Sequence, residues 1–322
     1  MKRTIKSIAV LLVLLLSIST GCGKQSSDMQ QVTIAEQYGL AYAPLQIMKE
    51  LKLLEKNNSN LQVNWKQMGN TAAIREAMLA KEVDIGFMAI PPFLIGWDKG
   101  MEWKIAGGLS SSPVGLVSNR SEVNSIKDFT ELDRIALPQP GSVQHILLSM
   151  ACEKEFGDSD KLDNLLITMA HPEGMNALMA KTDVTAHFTA PPYLTGELKS
   201  KENRLILSGE EAMGGEFTFI VGVATKSFHD RDPEDYKVFL KALEESITFI
   251  KTNKAEAVEI LSKAYDIDQE EVAEYLNTQG VEYTTEVQGL DKFADFMKRN
   301  EYISKTPANK TEIMWDDVNY ED

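Results

Sequence analysis

The sequence predicts an α/β protein of two lobes around a cleft, and three observations carry that prediction. One segment occurs twice. Ala77-Met78-Leu79-Ala80-Lys81 leads through Val83-Asp84-Ile85 and Phe87 to Pro91-Pro92-Phe93-Leu94 and Gly96. Ala177-Leu178-Met179-Ala180-Lys181 leads through Asp183-Val184 and Phe188 to Pro191-Pro192-Tyr193-Leu194 and Gly196. The offset of about one hundred residues is too long for a solenoid repeat and suits two copies of a lobe. Strand-like and helix-like patterns also alternate, which predicts mostly parallel sheets flanked by helices. Finally, an apolar β run at 217–225 carries the chain back after the second copy. The second lobe is then an excursion inside the first, joined by two crossings, and two crossings form a hinge suited to closure on a ligand.

Apolar periodicity and breakers place the elements in order. Lobe 1 begins with a strand at 32–36, a loop at 37–43 and a helix to about 54, with Pro44 in its first turn. A strand at 61–67 follows. Gly69-Asn70-Thr71 then caps a helix at 72–80, its side-chain oxygens satisfying free amides. A strand at 84–89, a helix at 91–99 and a strand at 104–109 complete this part. Lobe 2 repeats the order: a strand at 114–118, a short helix at 125–129, a strand at 134–137, and a helix at 143–156 capped by Gly141-Ser142. A strand at 165–169, a helix at 174–180, a strand at 184–188, a helix at 191–199 and a strand at 204–207 follow. The tail reads as helices at 235–252, 254–265, 269–276 and 289–299. Prolines open the helices after each Pro-Pro pair because a first turn needs no N–H there. The domain plan is a leader at 1–21, a tether at 22–31, lobe 1 at 32–112, lobe 2 at 113–211, and a return to lobe 1 with C-terminal helices at 212–322.

The leader has a basic start in Lys2, Arg3 and Lys6, then an apolar run at 8–16 that is too short to span a bilayer. Ser19-Thr20-Gly21-Cys22 resembles a bacterial lipobox, with Ser19 where leucine is usual. That resemblance implies a lipidated Cys22 and an anchor that does not cross the membrane. Removing the leader leaves about three hundred residues, enough for two ordinary domains. The formal charge of −15 becomes more negative without the leader, which argues against nucleic acid as a partner. Cys152 is the only other cysteine, so no disulfide framework or cysteine-based metal site can be built.

Catalytic signatures are missing. His145, His171, His187 and His229 are scattered, without metal-ligand spacing. There is neither a Gly-x-Ser-x-Gly elbow nor a phosphate-binding Gly-x-x-x-x-Gly-Lys loop. A binding protein without cofactor or metal is expected rather than an enzyme.

Several stretches in order carry a resemblance. They are Tyr38-Gly39-Leu40-Ala41-Tyr42-Ala43-Pro44-Leu45, Gly69-Asn70-Thr71-Ala72-Ala73 leading to Glu82-Val83-Asp84-Ile85-Gly86, and Leu109-Ser110-Ser111-Ser112. Ile126-Lys127-Asp128-Phe129 and Ile135-Ala136-Leu137-Pro138-Gln139-Pro140-Gly141-Ser142 continue the series. From about Val32 to Tyr302 the chain resembles the solute-binding components of ABC importers of the nitrate/sulfonate/taurine type, related to thiamine-pyrimidine binders. The resemblance implies a periplasmic-binding-protein-like fold of type II and a small organic solute, sulfonate/taurine-like or nitrate-like. It also implies delivery to a permease and its ATPase, a monomer, and a place at the cell membrane, lipid-anchored on the extracytoplasmic face. A pyrimidine or other heterocyclic vitamin precursor is the alternative solute. A ligand-sensing lipoprotein without transport is the alternative role. The related yeast thiamine-pyrimidine synthase carries a cysteine cluster that this chain lacks.

In such folds ligands gather at strand carboxyl ends beside helix starts. Tyr38 and Tyr42 offer aromatic faces with a polar handle. Asn70 and Thr71 offer a hydroxyl and amides at a helix start, which also need nothing beyond capping. Ser142 and Gln144 do the same in lobe 2, with His145 one turn in. Met88 and Pro91 in lobe 1, and Phe188, Thr189 and Pro191 in lobe 2, mark the repeated motif as cleft wall. Glu216, at the crossing, is placed to pair with a ligand amine. His171 and Glu173 read mainly as a helix cap. These loops hold no arginine, and Arg75 lies a turn inside its helix.

Overall fold

The computed structural model describes residues 30–316 and residue 318. The leader, Cys22 and most of the tether therefore lie outside the described residues. Among the described residues ten strands form two five-stranded sheets. They are β1 (Gln30–Glu36), β2 (Leu61–Gln67), β3 (Ile85–Met88), β4 (Trp103–Ser110) and β5 (Gly115–Ser118). Then come β6 (Ile135–Leu137), β7 (Leu166–Thr168), β8 (Ala186–Thr189), β9 (Arg204–Ser208) and β10 (Ile220–Thr225). The orders are β2-β1-β3-β10-β4 and β7-β6-β8-β5-β9. The two orders are the same pattern, with β6 to β9 standing where β1 to β4 stand. The sequence repeat falls on equivalent parts: helix Thr71–Leu79, β3 and helix Ile90–Asp98 in one lobe, helix His171–Ala180, β8 and helix Tyr193–Leu198 in the other.

The sheets are mixed rather than simply parallel. In each, one strand runs against both neighbours: β10 against β3 and β4, and β5 against β8 and β9. These are the strands that follow a crossing. β4 ends at Ser110, where Ile220 of β10 begins its pairing, and Gly115 opens β5 opposite Ser208, the end of β9. A chain arriving at the end of a sheet where its neighbours finish can only run back along them, so the crossing imposes the antiparallel direction.

A third segment braces the crossings. Ser111 and Glu282 exchange backbone bonds of 2.8 and 3.1 Å, and the Gly108 amide donates to Thr285 at 2.8 Å. Gly108 is needed for this approach, because a Cβ there would stand 2.1 Å from the Glu286 carbonyl oxygen.

Local chemistry explains the departures from the sequence reading. The first helix splits into Ala43–Glu50 and Leu53–Asn57 where Lys52 turns left-handed at φ 51°. β1 starts at Gln30, taking the end of the predicted tether. Helices Gly209–Met213 and Lys226–Arg231 are additions, capped by Ser208 and Thr225 but too short to show periodicity. The strand expected from 217 begins at Ile220. Asn70 and Ser142 are N-caps as read, accepting from the Ala73 and His145 amides. The main core runs through both lobes, with Phe87, Phe93, Phe188, Phe239 and Phe293 fully buried, and a smaller cluster of Val117, Ala136, Leu178, Val184 and Leu194 lies in lobe 2. No helix among the described residues is long and apolar enough to cross a membrane.

Candidate functional site

Helix starts from both lobes meet in one small cavity of about 30 Å³ between them. Thr71 opens the helix after β2, and Ala89 precedes the helix after β3. Ser142, Val143 and Gln144 open the helix after β6, and His171 opens the helix after β7. The floor is Phe219 and Ile220, and Tyr38, Gly39, Tyr42 and Pro191 close the sides. No Lys, Arg, Asp or Glu lines it. Four helix N-termini border it and bring partial positive charge to it, which Glu173 in the first turn of helix His171–Ala180 offsets in part.

The lobes touch across this cavity. The Leu40 amide donates to the Pro191 carbonyl at 3.1 Å, and the Ala72 amide donates to Gln139 Oε1 at 2.8 Å. Gly39 permits the first contact, with φ 123° and room for a Cβ only 3.2 Å from the Pro191 oxygen. With its carbonyl turned to the other lobe, Pro191 lies outside the helix, which starts at Tyr193 instead. The space holds about one or two waters, so a polyatomic guest requires the lobes to part.

Supporting bonds orient the walls. The Gln37 side-chain amide donates to Tyr42 Oη at 3.1 Å and to Thr71 Oγ1 at 3.0 Å, tying two loops together. Behind Tyr42, Glu36 is bound by Gln46 at 2.7 and 2.8 Å, and burial lifts its carboxyl to about 7. Burial and this neighbour push the Tyr42 phenol up. Tyr283 Oη donates to the Leu40 carbonyl at 2.7 Å, holding the same loop from the return segment. His171 lies 3.0 Å from Thr189 Oγ1 and stacks on Tyr193 with ring centroids 5.8 Å apart.

Of the residues singled out from sequence, Tyr38, Tyr42, Thr71, Ser142, Gln144 and Pro191 stand together in the cavity wall. The others stand elsewhere. Asn70 is spent on its cap. Met88 and Phe188 are fully buried in the core, like every residue of β3 and β8, whose strands lie inside their sheets. Thr189 sits one layer back, against His171. Pro91 is buried, and its neighbour Pro92 takes the wall position. Glu216 is exposed and outside the cavity wall. His145 turns away, accepting from the Gly141 amide at 2.9 Å and facing Asp163 at 3.0 Å. Sequence reasoning missed Gln37, Phe219 and Ile220, and gave His171 only a capping part. Gln37 and His171 each directly follow or closely follow a strand end, the one signal that would have found them.

A larger hollow of about 790 Å³ lies between the helices of 250–283, and every residue lining it comes from that stretch. Its lining includes Glu282 and Tyr283 of the segment that braces the crossings but no residue of a strand. Among the described residues no group of three or more His, Cys, Asp or Glu is placed to hold a metal ion.

Comparison with known proteins agrees with this fold. An aliphatic sulfonates-binding protein assigned in Bacillus subtilis (strain 168) is 23% identical over 313 residues, covering 92% of this chain and 91% of its own. The alkanesulfonate-binding protein SsuA of Xanthomonas axonopodis pv. citri, solved bound to MOPS, superposes with a TM-score of 0.74 at 18% identity. That match covers 88% of this chain and 98% of the other. The periplasmic nitrate-binding protein NrtA of Synechocystis PCC 6803 gives 0.63 at 14% identity, over 88% and 84%. These structures share the two-lobed α/β fold. The model of the NMT1/THI5-like family matches residues 57–257, more than half of the sequence, and the chain belongs to that family.

Proposed function

We propose that this chain is the extracytoplasmic solute-binding component of an ABC importer. It captures a small oxoanion of the sulfonate or nitrate class between its lobes and hands it to a permease and ATPase. The observation that carries this reading is the meeting of four helix N-termini on a cavity with no charged side chain. Such a site stabilises a delocalised negative charge through amides and hydroxyls. The names of the sulfonate-binding and nitrate-binding relatives support the same class. The heterocyclic alternative drew on the aromatics together with Glu216 as partner for a ligand amine; Tyr38 and Tyr42 line the cavity, and Glu216 stands outside its wall. Twelve site residues were expected from sequence, and we propose Tyr38, Tyr42, Thr71, Ser142, Gln144 and Pro191 as those that touch solute. Anchoring through lipidated Cys22 and action as a monomer belong to this proposal.

A ligand-panel thermal shift tests it, using short-chain sulfonates, taurine, nitrate, pyrimidines and flavins. Saturable stabilisation by a sulfonate or nitrate is expected. Stabilisation by a pyrimidine alone would move the assignment to the heterocyclic class, and no stabilisation by any of them would count against the importer role.

A further inference from the structure

We propose that a buried Glu197–His187 pair fixes the His171 ring as a hydrogen-bond donor into the cavity, making His171 the residue that selects for an acceptor oxygen on the solute. The inference rests on the solute-binding reading above and adds the chemistry of one contact.

His187, on β8, and Glu197, on helix Tyr193–Leu198, are both fully buried. Their Nδ1 and Oε1 atoms are 2.6 Å apart, and Glu197 Oε2 has no hydrogen-bond partner among the described residues. A neutral pair carries two protons, one in the short bond and one on His187 Nε2. That holds whichever side of the short bond the first proton occupies; the remaining neutral arrangement, an acid proton on Oε2 with Nδ1–H donating to Oε1, would bury an O–H donor with no acceptor. The competing state, a bare carboxylate against a neutral Nδ1–H ring, buries a net negative charge with one oxygen unmet, and burial disfavours it. Burial also raises the glutamate to about 9 and holds the histidine at about 3.

The direction then propagates. His187 Nε2 lies 3.4 Å from His171 Nδ1, and Thr189 Oγ1 lies 3.0 Å from the same atom. The hydroxyl can donate or accept, so the proton on His187 Nε2 sets the direction, and Nδ1 accepts. Burial and the adjacent His187 keep His171 neutral, at about 3, so its one hydrogen sits on Nε2. The side groups facing this ring are His187, Thr189, Tyr193 and Gln144. The Tyr193 stack holds the ring plane; the Gln144 side-chain amide lies 3.5 Å from Nε2, a contact as long as that of His187 with Nδ1, and turned by half a rotation it presents its oxygen to accept from an Nε2–H. A cavity occupant with an acceptor oxygen competes for this N–H, which joins the helix-start amides as a neutral donor.

Long-range proton–nitrogen correlation on the 15N-labelled, ligand-free protein at pH 7 tests the tautomer without any solute. The expected pattern is a protonated Nε2 and an unprotonated Nδ1 in His171. Glu197→Gln, which retains an N–H donor, should keep the pattern, and Glu197→Leu should mix it. The reverse tautomer, an imidazolium, or an unchanged spectrum in Glu197→Leu would overturn the proposal. If that variant does not fold, the wild-type and Glu197→Gln spectra decide alone. Titration with ethanesulfonate supplies the second arm. His171→Phe keeps the stack and loses the donor, so affinity should fall about ten- to hundred-fold, and His171→Gln should recover most of it. Equal affinity in His171→Phe would refute the selecting role. A wild type that does not bind ethanesulfonate would refute the sulfonate assignment and this contact's selectivity for it, while the tautomer result stands separately.

Discussion

Replacing Glu197 with glutamine removes a proton that the fold holds and the unfolded chain does not. An unfolded glutamate titrates near ~4.3, whereas burial raises Glu197 to about 9. Between those values the native state binds more protons. The stability from Glu197 is therefore fully present below the unfolded value and is lost as pH rises, at about 1.4 kcal/mol per pH unit. Four other groups bound the window in which this can be read cleanly. His171 and His187, held at about 3, act in the opposite sense, losing stability as pH falls below ~6.5. Glu36, raised to about 7, stops contributing above that pH. Cys152, pushed up to about 12 by burial, begins to act only above ~8.5, where the unfolded thiol titrates. From pH 7 to about 8.5 the wild type should lose about 2 kcal/mol, and Glu197→Gln should lose almost none. Urea unfolding at several pH values, with slopes compared at matched m-values, measures this. Equal pH slopes in the two proteins would refute the protonated glutamate.

Further expectations concern closure, packing and anchoring. Gln139→Ala removes the bond from the Ala72 amide across the cavity. At about 1 kcal/mol for such a bond, the ligand-free chain should shift about five-fold toward a more open form. Small-angle scattering would show a larger radius, and an unchanged radius would deny the latch. Gly108→Ala drives a Cβ into the Glu286 carbonyl, so thermal unfolding should show a loss of about 1–3 kcal/mol, and an unaltered midpoint would contradict that packing. Cys22→Ser should release the protein from the membrane fraction. Retention there would rule out the lipid anchor.

Much of the architecture was legible because it rests on local chemistry. Asn70 and Ser142 declare helix starts through side chains that serve no other local need as well. The duplicated Pro-Pro segment fell on matching parts of two sheets of the same order. The cavity was half legible. Strand ends and caps led to Tyr38, Tyr42, Thr71, Ser142, Gln144 and Pro191. Met88 and Phe188 went astray because an apolar residue at a strand end reads the same whether it faces the core or a cleft. Glu216 went astray because a carboxylate beside a glycine pair carries no sign of which way the chain turns.

The sequence alone determined the two lobes, their duplication, and the elements whose starts surround the cleft, because each follows from periodicity and capping over a few residues. Only the tertiary structure decided the rest. The antiparallel β5 and β10 depend on where each crossing delivers the chain. The joining of His171, His187 and Glu197 depends on helix His171–Ala180 and helix Tyr193–Leu198 packing together around β8. Those three residues span more than one element, and their shared burial, which sets their protonation, exists only once the elements are packed.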